Sequence, residues 1–478
     1  MGLRKIALSG MRYQVYLKIA SVAFYQVGTI ILAILLSPAD FSTLGLAMIF
    51  IGFAANLSDF GIGSALIQRP SLPTEDLATG GSLRILTSSV LTLALFISAP
   101  RIASSYRVPA LQAAIWVLSL ILVANSLGFS SRILLTRNLQ FRRLFVPEVA
   151  GNIAATLSMV LLALAGWSFW SLLLGAVLGS FVTAIGFYFA RPWRFALRID
   201  KKIAAKLLSF GAPLLLGNLL AFASEAIGVG ILGFFAFQDV GFFLFATTWT
   251  ISIFVGLHAS LDNVLFPVYS AMNADVKRVR GAYLRLLKYL SWAIFPLGAL
   301  VVTEAPVFVL GIVGSKWSPS IPLMQILGIA AVPLVLSLSY HSAVVAVGKP
   351  RELLLYQTVA VSVSVPLSFL LIQLNGAIGL AYAILITGVV LFFYSVTRTR
   401  KLLHVAGREL FRNLWPQALA SVLVAVPVAA VRPWFSSTPL FLGASTIGAI
   451  AAYFGLMTLF TRRGFFPEVI GIVRDFVR

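Results

Sequence analysis

Cysteine is absent from the 478 residues, and histidine occurs only at His258, His341 and His404. The first absence excludes a disulfide framework, a thiolate nucleophile and a cysteine-ligated metal; the scatter of the histidines leaves no imidazole cluster for a metal ion. Charge is equally scarce: Asp and Glu number 15, and charged residues make up 11% of the chain, against about a quarter in soluble domains. No P-loop, His-Glu-x-x-His pair or Asp-x-Asp pair is present, so nucleotide hydrolysis, zinc peptidase chemistry and acid-paired glycosyl transfer lose their usual groups. A transporter is expected in place of an enzyme, with no cofactor and no metal.

What the chain has in abundance is apolar length. Hydrophobic residues make up 60% of it and the mean hydropathy is +0.98, which reads as an all-α integral membrane protein. A span needs about 20 apolar residues, and fourteen segments meet that need, from Tyr16–Leu36 to Leu440–Phe460. The first follows Arg4, Lys5, Arg12 and Lys18 without a small-residue cleavage site, so it reads as a retained span and not a signal peptide.

The basic residues orient this bundle. With the N-terminus cytoplasmic, all of the 36 Lys and Arg except Arg101, Arg107, Lys316 and Arg432 fall on the cytoplasmic side, as the positive-inside rule requires. Both termini are therefore expected in the cytoplasm. The formal charge of +21 is that of orienting loops facing anionic headgroups, not of a nucleic-acid-binding surface.

The chain also repeats itself. Pro38-Ala39-Asp40-Phe41 opens the second span as Phe237-Gln238-Asp239-Val240 opens the eighth, and Ala165-Gly166-Trp167-Ser168 precedes the sixth as Asn375-Gly376-Ala377-Ile378 precedes the twelfth. The expectation is fourteen transmembrane helices in two pseudo-symmetric six-helix lobes plus two C-terminal helices. Residues 1–190 form the first lobe, 191–206 a basic linker, 207–397 the second lobe, and 398–478 two additional spans and a tail.

Polar groups inside apolar spans are expensive and mark function or a packed interface. They concentrate in the first two spans of each half. Lys18 and Tyr25 lie on one stripe of the first span; Gly52, Asn56, Asp59 and Gly63 share a face of the second. Asn218 and Glu225 share a face of the seventh, and His258 and Asp262, with Asn263, occupy the eighth. Each has a structural alternative: Lys18 can snorkel to headgroups, Asp59 and Asp262 can pair with loop arginines, and His258 can be a core residue. Arg84 and Glu148 read as interfacial residues near cytoplasmic ends, and Glu304, before Pro306, as a solvated loop acid facing outward. Gly175 and Gly179 read as a helix-contact pair.

Ala39-Asp40-Phe41, the run Ser58-Asp59-Phe60-Gly61-Ile62-Gly63-Ser64-Ala65-Leu66-Ile67-Gln68-Arg69, Leu139-Gln140-Phe141-Arg142-Arg143-Leu144, Leu265-Phe266-Pro267, Lys316-Trp317-Ser318-Pro319 and Gly348-Lys349-Pro350-Arg351 give the chain a further likeness. It resembles the Wzx-type polysaccharide flippases of the multidrug, oligosaccharidyl-lipid and polysaccharide export superfamily. The resemblance implies a bacterial inner-membrane protein with a central cavity bordered by spans one, two, seven and eight. It implies cargo in the form of a polyprenyl-pyrophosphate-linked oligosaccharide, moved from the cytoplasmic to the periplasmic leaflet for exopolysaccharide, capsule or O-antigen assembly. Coupling to H+ or Na+ and contact with polysaccharide polymerase or assembly proteins are implied as well. One departure is Asp262-Asn263, where a basic residue is often expected. Lys18 or Arg84 are the candidates to meet pyrophosphate, and Asp59, Glu225 and Asp262 the candidates for ion coupling. Rival readings on the same fold are a cation or drug antiporter and a peptidoglycan-precursor flippase. A polymerase or ligase would need a larger outer segment with catalytic arginines or acids.

Overall fold

A computed structural model describes residues 21–193, 197–259, 275–349, 351–431 and 439–460. The described residues are helical throughout their long segments: α1 (Ser21–Leu35), α2 (Pro38–Asp59), α3 (Ile62–Gln68), α4 (Thr74–Tyr106), α5 (Pro109–Leu127), α6 (Phe129–Arg137), α7 (Phe141–Leu164), α8 (Phe169–Ala190), α9 (Lys201–Phe235), α10 (Phe237–Trp249), α11 (Val276–Phe308), α12 (Ser320–Ala346), α13 (Arg351–Leu403), α14 (Gly407–Val431) and α15 (Pro439–Phe460).

Among the described residues, 12 helices are long and apolar enough to cross a membrane. The 53-residue α13 is bent where Asn375 (φ −140°) and Gly376 (φ 54°) leave helical geometry. At 1.5 Å per residue it extends about 80 Å, enough for two passes through about 30 Å of hydrocarbon. With its two arms counted separately and the shorter apolar α1 added, the expected fourteen segments are all accounted for.

The chain divides into two compact units, Met1–Gly241 and Phe242–Arg478. In the first, α2, α4, α5 and α8 close around Leu46, Ile51, Leu95, Ala99, Ile115, Leu118 and Leu173. The start of α2 is fixed locally: the Ser37 hydroxyl accepts from the Asp40 amide, the Asp40 carboxylate accepts from the Ser37 amide at 2.8 Å, and Pro38 supplies a preset φ. Small residues let α7 and α8 touch. A Cβ at Gly175 or Gly179 would fall on Met159, Ala155 or the Gly151 carbonyl, which is the helix contact expected of that pair.

The 191–206 segment is tied to α4. The Arg198 amide donates to Ser82 Oγ at 3.1 Å and the Asp200 amide to Thr79 Oγ1 at 3.3 Å. Asp200 then caps α9, accepting from the amides of Lys202 (2.8 Å) and Ile203 (3.1 Å). The amides of Ile203 and Lys202 hold its carboxyl below the usual carboxylate range. Helix α9, expected in the second lobe, packs on α2, α3 and α4 of the first unit.

In the second unit, Val279, Tyr283, Leu286, Leu287 and Leu290 of α11 pack on Ala331 and Val335 of α12 and on Leu403, Val405 and Leu410 at the α13–α14 junction. Arg398 grips Glu352 through Nε (2.8 Å) and Nη2 (2.9 Å), and the Tyr340 hydroxyl donates to the same carboxylate at 2.8 Å. Arg280 donates to both Glu409 oxygens at 2.7 Å, fastening α14 to α11. Such charge-assisted, forked bonds hold helix ends where the apolar packing stops.

One expectation is corrected here, and a second residue proves more buried than the sequence implied. Glu304 is not a solvated loop acid: α11 continues to Phe308 and leaves Glu304 only 7% exposed inside it. Arg84 is buried by protein: helix α4 begins at Thr74, nine residues before the apolar run Leu83–Ala99, so Arg84 lies ten residues into the helix and is 8% exposed.

The repeat is visible in the backbone. Ser168 (φ 46°, ψ −133°) and Gly376 (φ 54°, ψ −132°) share their torsions at corresponding turns. Leu139 (φ 52°) after α6 and Gly348 (φ 74°) after α12 both take the left-handed conformation, each followed by the paired bonds of a helix-ending turn: Leu139 N to Thr136 O with Gln140 N to Leu135 O, and Gly348 N to Val345 O with Lys349 N to Val344 O. Leu139 is 67% exposed, so its left-handed strain is offset by little packing. Leu139→Gly is expected to stabilise the protein by about 1 kcal/mol, seen as a higher thermal unfolding midpoint in detergent; a lower midpoint would mean that the leucine side chain contributes more than its strain costs.

Candidate functional site

Helix α2 breaks inside its span. Asp59 is its last residue, and Phe60 (φ 45°, ψ 22°) and Gly61 (φ 69°, ψ 9°) follow in left-handed geometry before α3 begins. Glycine adopts this freely, whereas the same conformation costs phenylalanine roughly 1–2 kcal/mol. The break is seated on α9, where a Cβ at Gly61 would come within 2.8 Å of the Gly211 Cα and one at Gly211 would overlap the Phe60 carbonyl oxygen.

A broken helix leaves its last carbonyls without intrahelical donors, and those turned into the protein need partners there. Helix α4 supplies the donors. Thr87 Oγ1 reaches the Ser58 carbonyl at 3.1 Å and shares its one proton between it and the Leu83 carbonyl of its own helix at 2.9 Å. Arg84 Nη1 donates to Ser58 Oγ at 2.5 Å and reaches the Ala55 carbonyl at 3.5 Å. The same nitrogen lies 3.9 Å from Asp59 Oδ1, and the guanidinium carbon sits 5.9 Å from the centre of the Phe129 ring on α6, within cation–π range. Exposure is asymmetric: the Arg84 side chain is 9% exposed and that of Asp59 40%. The Asp59 carboxylate thus stands on the open side of the pair.

The remaining candidates are distributed as follows. Asn56 Nδ2 donates to the Gly52 carbonyl at 2.9 Å, and Gly52 faces Phe222 of α9 so closely that a Cβ would meet its ring at 2.8 Å. The polar stripe of α2 therefore looks partly toward α9. Asn218 and Glu225 are both exposed on α9, and Tyr25 on α1 is exposed too. His258, in the second unit, is 7% exposed. Lys18, Asp262 and Asn263 lie outside the described residues, as does Leu265-Phe266-Pro267. The structure brings Asn56, Asp59 and Arg84 together at the end of α2; among the described residues no group of three or more His, Asp or Glu could hold a metal ion.

Several contributors are not legible from sequence. Ser58 and Thr87 are ordinary span residues until the break exposes their roles. Arg137 reads as an orienting cation, yet its guanidinium caps α3, donating to the carbonyls of Leu66 (3.1 Å), Arg69 (2.6 Å) and Pro70 (2.8 Å). Arg69 is in turn paired with Asp76. Thr87 follows Arg84 by three residues, the spacing of one helix face, and that is the one sequence signal linking them. The second unit holds an apolar cavity of about 270 Å³ bordered by Trp292, Pro296 and Leu300 of α11, Val424 of α14 and Tyr453 of α15.

A family model described as a polysaccharide biosynthesis protein matches residues 31–322, more than half of the chain. The chain belongs to this polysaccharide biosynthesis family. The family match covers α2, α4 and α9 and therefore the whole Asp59–Arg84 arrangement. Among curated relatives, the lipopolysaccharide biosynthesis protein WzxC of Escherichia coli (strain K12) is 25% identical over 87% of this chain and 85% of its own length. The teichuronic acid biosynthesis protein TuaB of Bacillus subtilis (strain 168) is 25% identical over 71% of both chains. Among solved structures, the lipid II flippase MurJ in an inward closed conformation superposes with a TM-score of 0.76 over 94% of this chain and 98% of its own, at 13% identity. An inward-facing multidrug transporter of the MATE family superposes with a TM-score of 0.62 over 81% and 96%, at 16% identity. These likenesses give the fold, and together with the family and WzxC they uphold the Wzx-type resemblance read from the motifs.

The seat of the break on α9 is testable. Gly211→Ala forces the Phe60 carbonyl aside and is expected to cost about 1–3 kcal/mol, measured as a lower thermal unfolding midpoint in detergent. An unchanged midpoint would mean that α9 does not bear on the break.

Proposed function

We propose that this protein moves polyprenyl-pyrophosphate-linked oligosaccharide repeat units from the cytoplasmic to the periplasmic leaflet of a bacterial inner membrane, for exopolysaccharide, capsule or O-antigen assembly. The observation that carries this reading is the family match itself, joined to a cluster of polar groups on α2 and α4 in otherwise apolar spans. A saccharide and a pyrophosphate cannot enter hydrocarbon without losing their hydration. A protein that carries them needs sheltered polar surface at membrane depth, and Asn56, Asp59, Asn218 and Glu225 are the candidates to supply it. The prenyl tail has no such need and stays with lipid.

The two six-helix lobes with their boundary at residues 191–206, and the cytoplasmic location of both termini, belong to the same reading; the distribution of Lys and Arg supports the orientation. Lys18, Tyr25, His258, Asp262 and Asn263 complete the proposed substrate path. Protonation or cation binding at Asp59, Glu225 or Asp262 would bias the protein between its inward-open and outward-open states by the difference in affinity for them. The fold is shared with multidrug transporters, so the cargo class rests on the family and not on the architecture.

The test uses proteoliposomes containing a fluorescent polyprenyl-pyrophosphate oligosaccharide and a membrane-impermeant quencher. The wild-type protein is expected to move the probe between leaflets, and the triple variant Asp59→Asn, Glu225→Gln, Asp262→Asn to lose at least tenfold in rate under an ion gradient. Equal rates in the triple variant would remove the acids from the coupling scheme. In cells depleted of the protein, normal lipid-linked intermediates with altered resistance to cationic drugs would replace the flippase reading with that of an exporter.

A further inference from the structure

We propose that Arg84 is a positioning residue: it acts on the cargo through Asp59 and the broken end of α2, and does not itself grip the pyrophosphate. The inference rests on the flippase reading for its transport consequences and on geometry for its local ones.

A cation inside an apolar span invites assignment as an anion-binding group, and the orientation of this one argues otherwise. Its guanidinium is turned into the protein, with the Phe129 ring beside it at 5.9 Å and α2 beside it through Ser58 Oγ at 2.5 Å and the Ala55 carbonyl at 3.5 Å. The carboxylate of Asp59 is the exposed member of the pair, so a hydrated ligand arriving at this level meets Asp59 first. To reach a phosphate oxygen, Arg84 would have to leave Ser58 and Ala55, and the end of α2 would keep only the Thr87 bond from α4. Withdrawal would take the donor from the buried Ser58 hydroxyl and part Arg84 from the Asp59 carboxylate.

The residue type follows from the task. One side chain must reach a hydroxyl and a carbonyl on α2 while its charge stays close to the Asp59 carboxylate. One nitrogen, Nη1, meets Ser58 Oγ, the Ala55 carbonyl and Asp59 Oδ1, so the role is carried by a long side chain that places a charge at that point. Gly63 completes the geometry. Its Cα hydrogen lies where a Cβ would stand 3.7 Å from Asp59 Oδ1, 3.5 Å from the Phe129 ring and 3.4 Å from Ile133, so the carboxylate is not crowded from the α3 side. Asp59 is held at a helix end by α4 through Arg84, and the turn that follows it is seated on α9 at Gly211.

The experiment compares wild type, R84Q, R84K, T87V, D59N and R84Q/D59N in the proteoliposome assay, reading maximal rate and the concentration of lipid-linked saccharide giving half of it. R84Q is expected to lower the maximal rate tenfold or more with the half-saturating concentration within twofold of wild type, and to add nothing in the D59N background. R84K, which keeps a charge beside Asp59 on a shorter side chain, is expected to show the same split with a smaller fall, and it carries the test where R84Q does not fold. T87V loosens the same end of α2 and is expected to lower the maximal rate with the half-saturating concentration within twofold of wild type; a tenfold rise in that concentration would overturn the proposal. A tenfold rise in half-saturating concentration at unchanged maximal rate in R84Q would make Arg84 a cargo contact and overturn the proposal. Losses that multiply in R84Q/D59N would overturn it too. Should wild type move no saccharide, the flippase reading fails separately. The positioning role is then read from D59C, which is a unique thiol in this cysteine-free chain. Its labelling rate with an impermeant maleimide is expected to change at least fivefold on adding R84Q, and an unchanged rate overturns the proposal.

Discussion

The rest of the structure depends on the rule that a backbone group turned away from water must find its partner in protein. An unbroken helix meets the rule by itself, and most of this chain does so. Where α2 stops at Asp59, the obligation passes to neighbours, and they are arranged to meet it: Thr87 and Arg84 of α4 donate to the end of α2, while α9 offers Gly211 so that the turn can lie against it without a side chain between. Arg137 repeats the solution one element later at the end of α3. Placing a carboxylate at such an end joins two costs at one point, and the helix that covers the backbone also supplies the counter-charge.

With only 15 acids in the chain, their employment is informative. Asp76, Glu352 and Glu409 are taken up by arginines, Asp40 and Asp200 by helix starts. These acids sit at helix ends and fasten one helix to the next. Glu225 is different: it is exposed within α9, the one acid in a stretch from Leu219 to Phe235 that is otherwise uncharged. A chain that spends its carboxylates so sparingly on fastening gives weight to one placed where it fastens nothing obvious in the helix itself, which is the physical basis for keeping Glu225 in the transport path.

The spans, the orienting loops and the concentration of polarity near Asp59 were readable because hydrocarbon imposes a coarse length and composition on every segment crossing it. The twofold recurrence of turn sequences was readable for the same reason, since little else in the chain is polar. What was hidden was register at the ends. Thr74-Glu75-Asp76 looks like a loop and is the first turn of α4; two helical turns of unexpected length leave Arg84 buried by protein. Pro306 looks like a terminator, and α11 passes through it, burying Glu304. The break after Asp59 was hidden because Gly61 reads like any other small residue of a membrane helix, and no local pattern announces that Phe60 also leaves the right-handed region.

The corresponding turns after α6 and α12 bear on how such a chain comes to be. Both end their helices with a left-handed residue and the same pair of closing bonds, yet one carries Gly348 and the other Leu139. If the halves descend from one ancestral segment, the path of the main chain has outlasted the residue that suits it. Drift has been free to replace the side chain because the surrounding helices dictate the corner, and kinship between the halves is therefore better preserved in torsion angles than in letters.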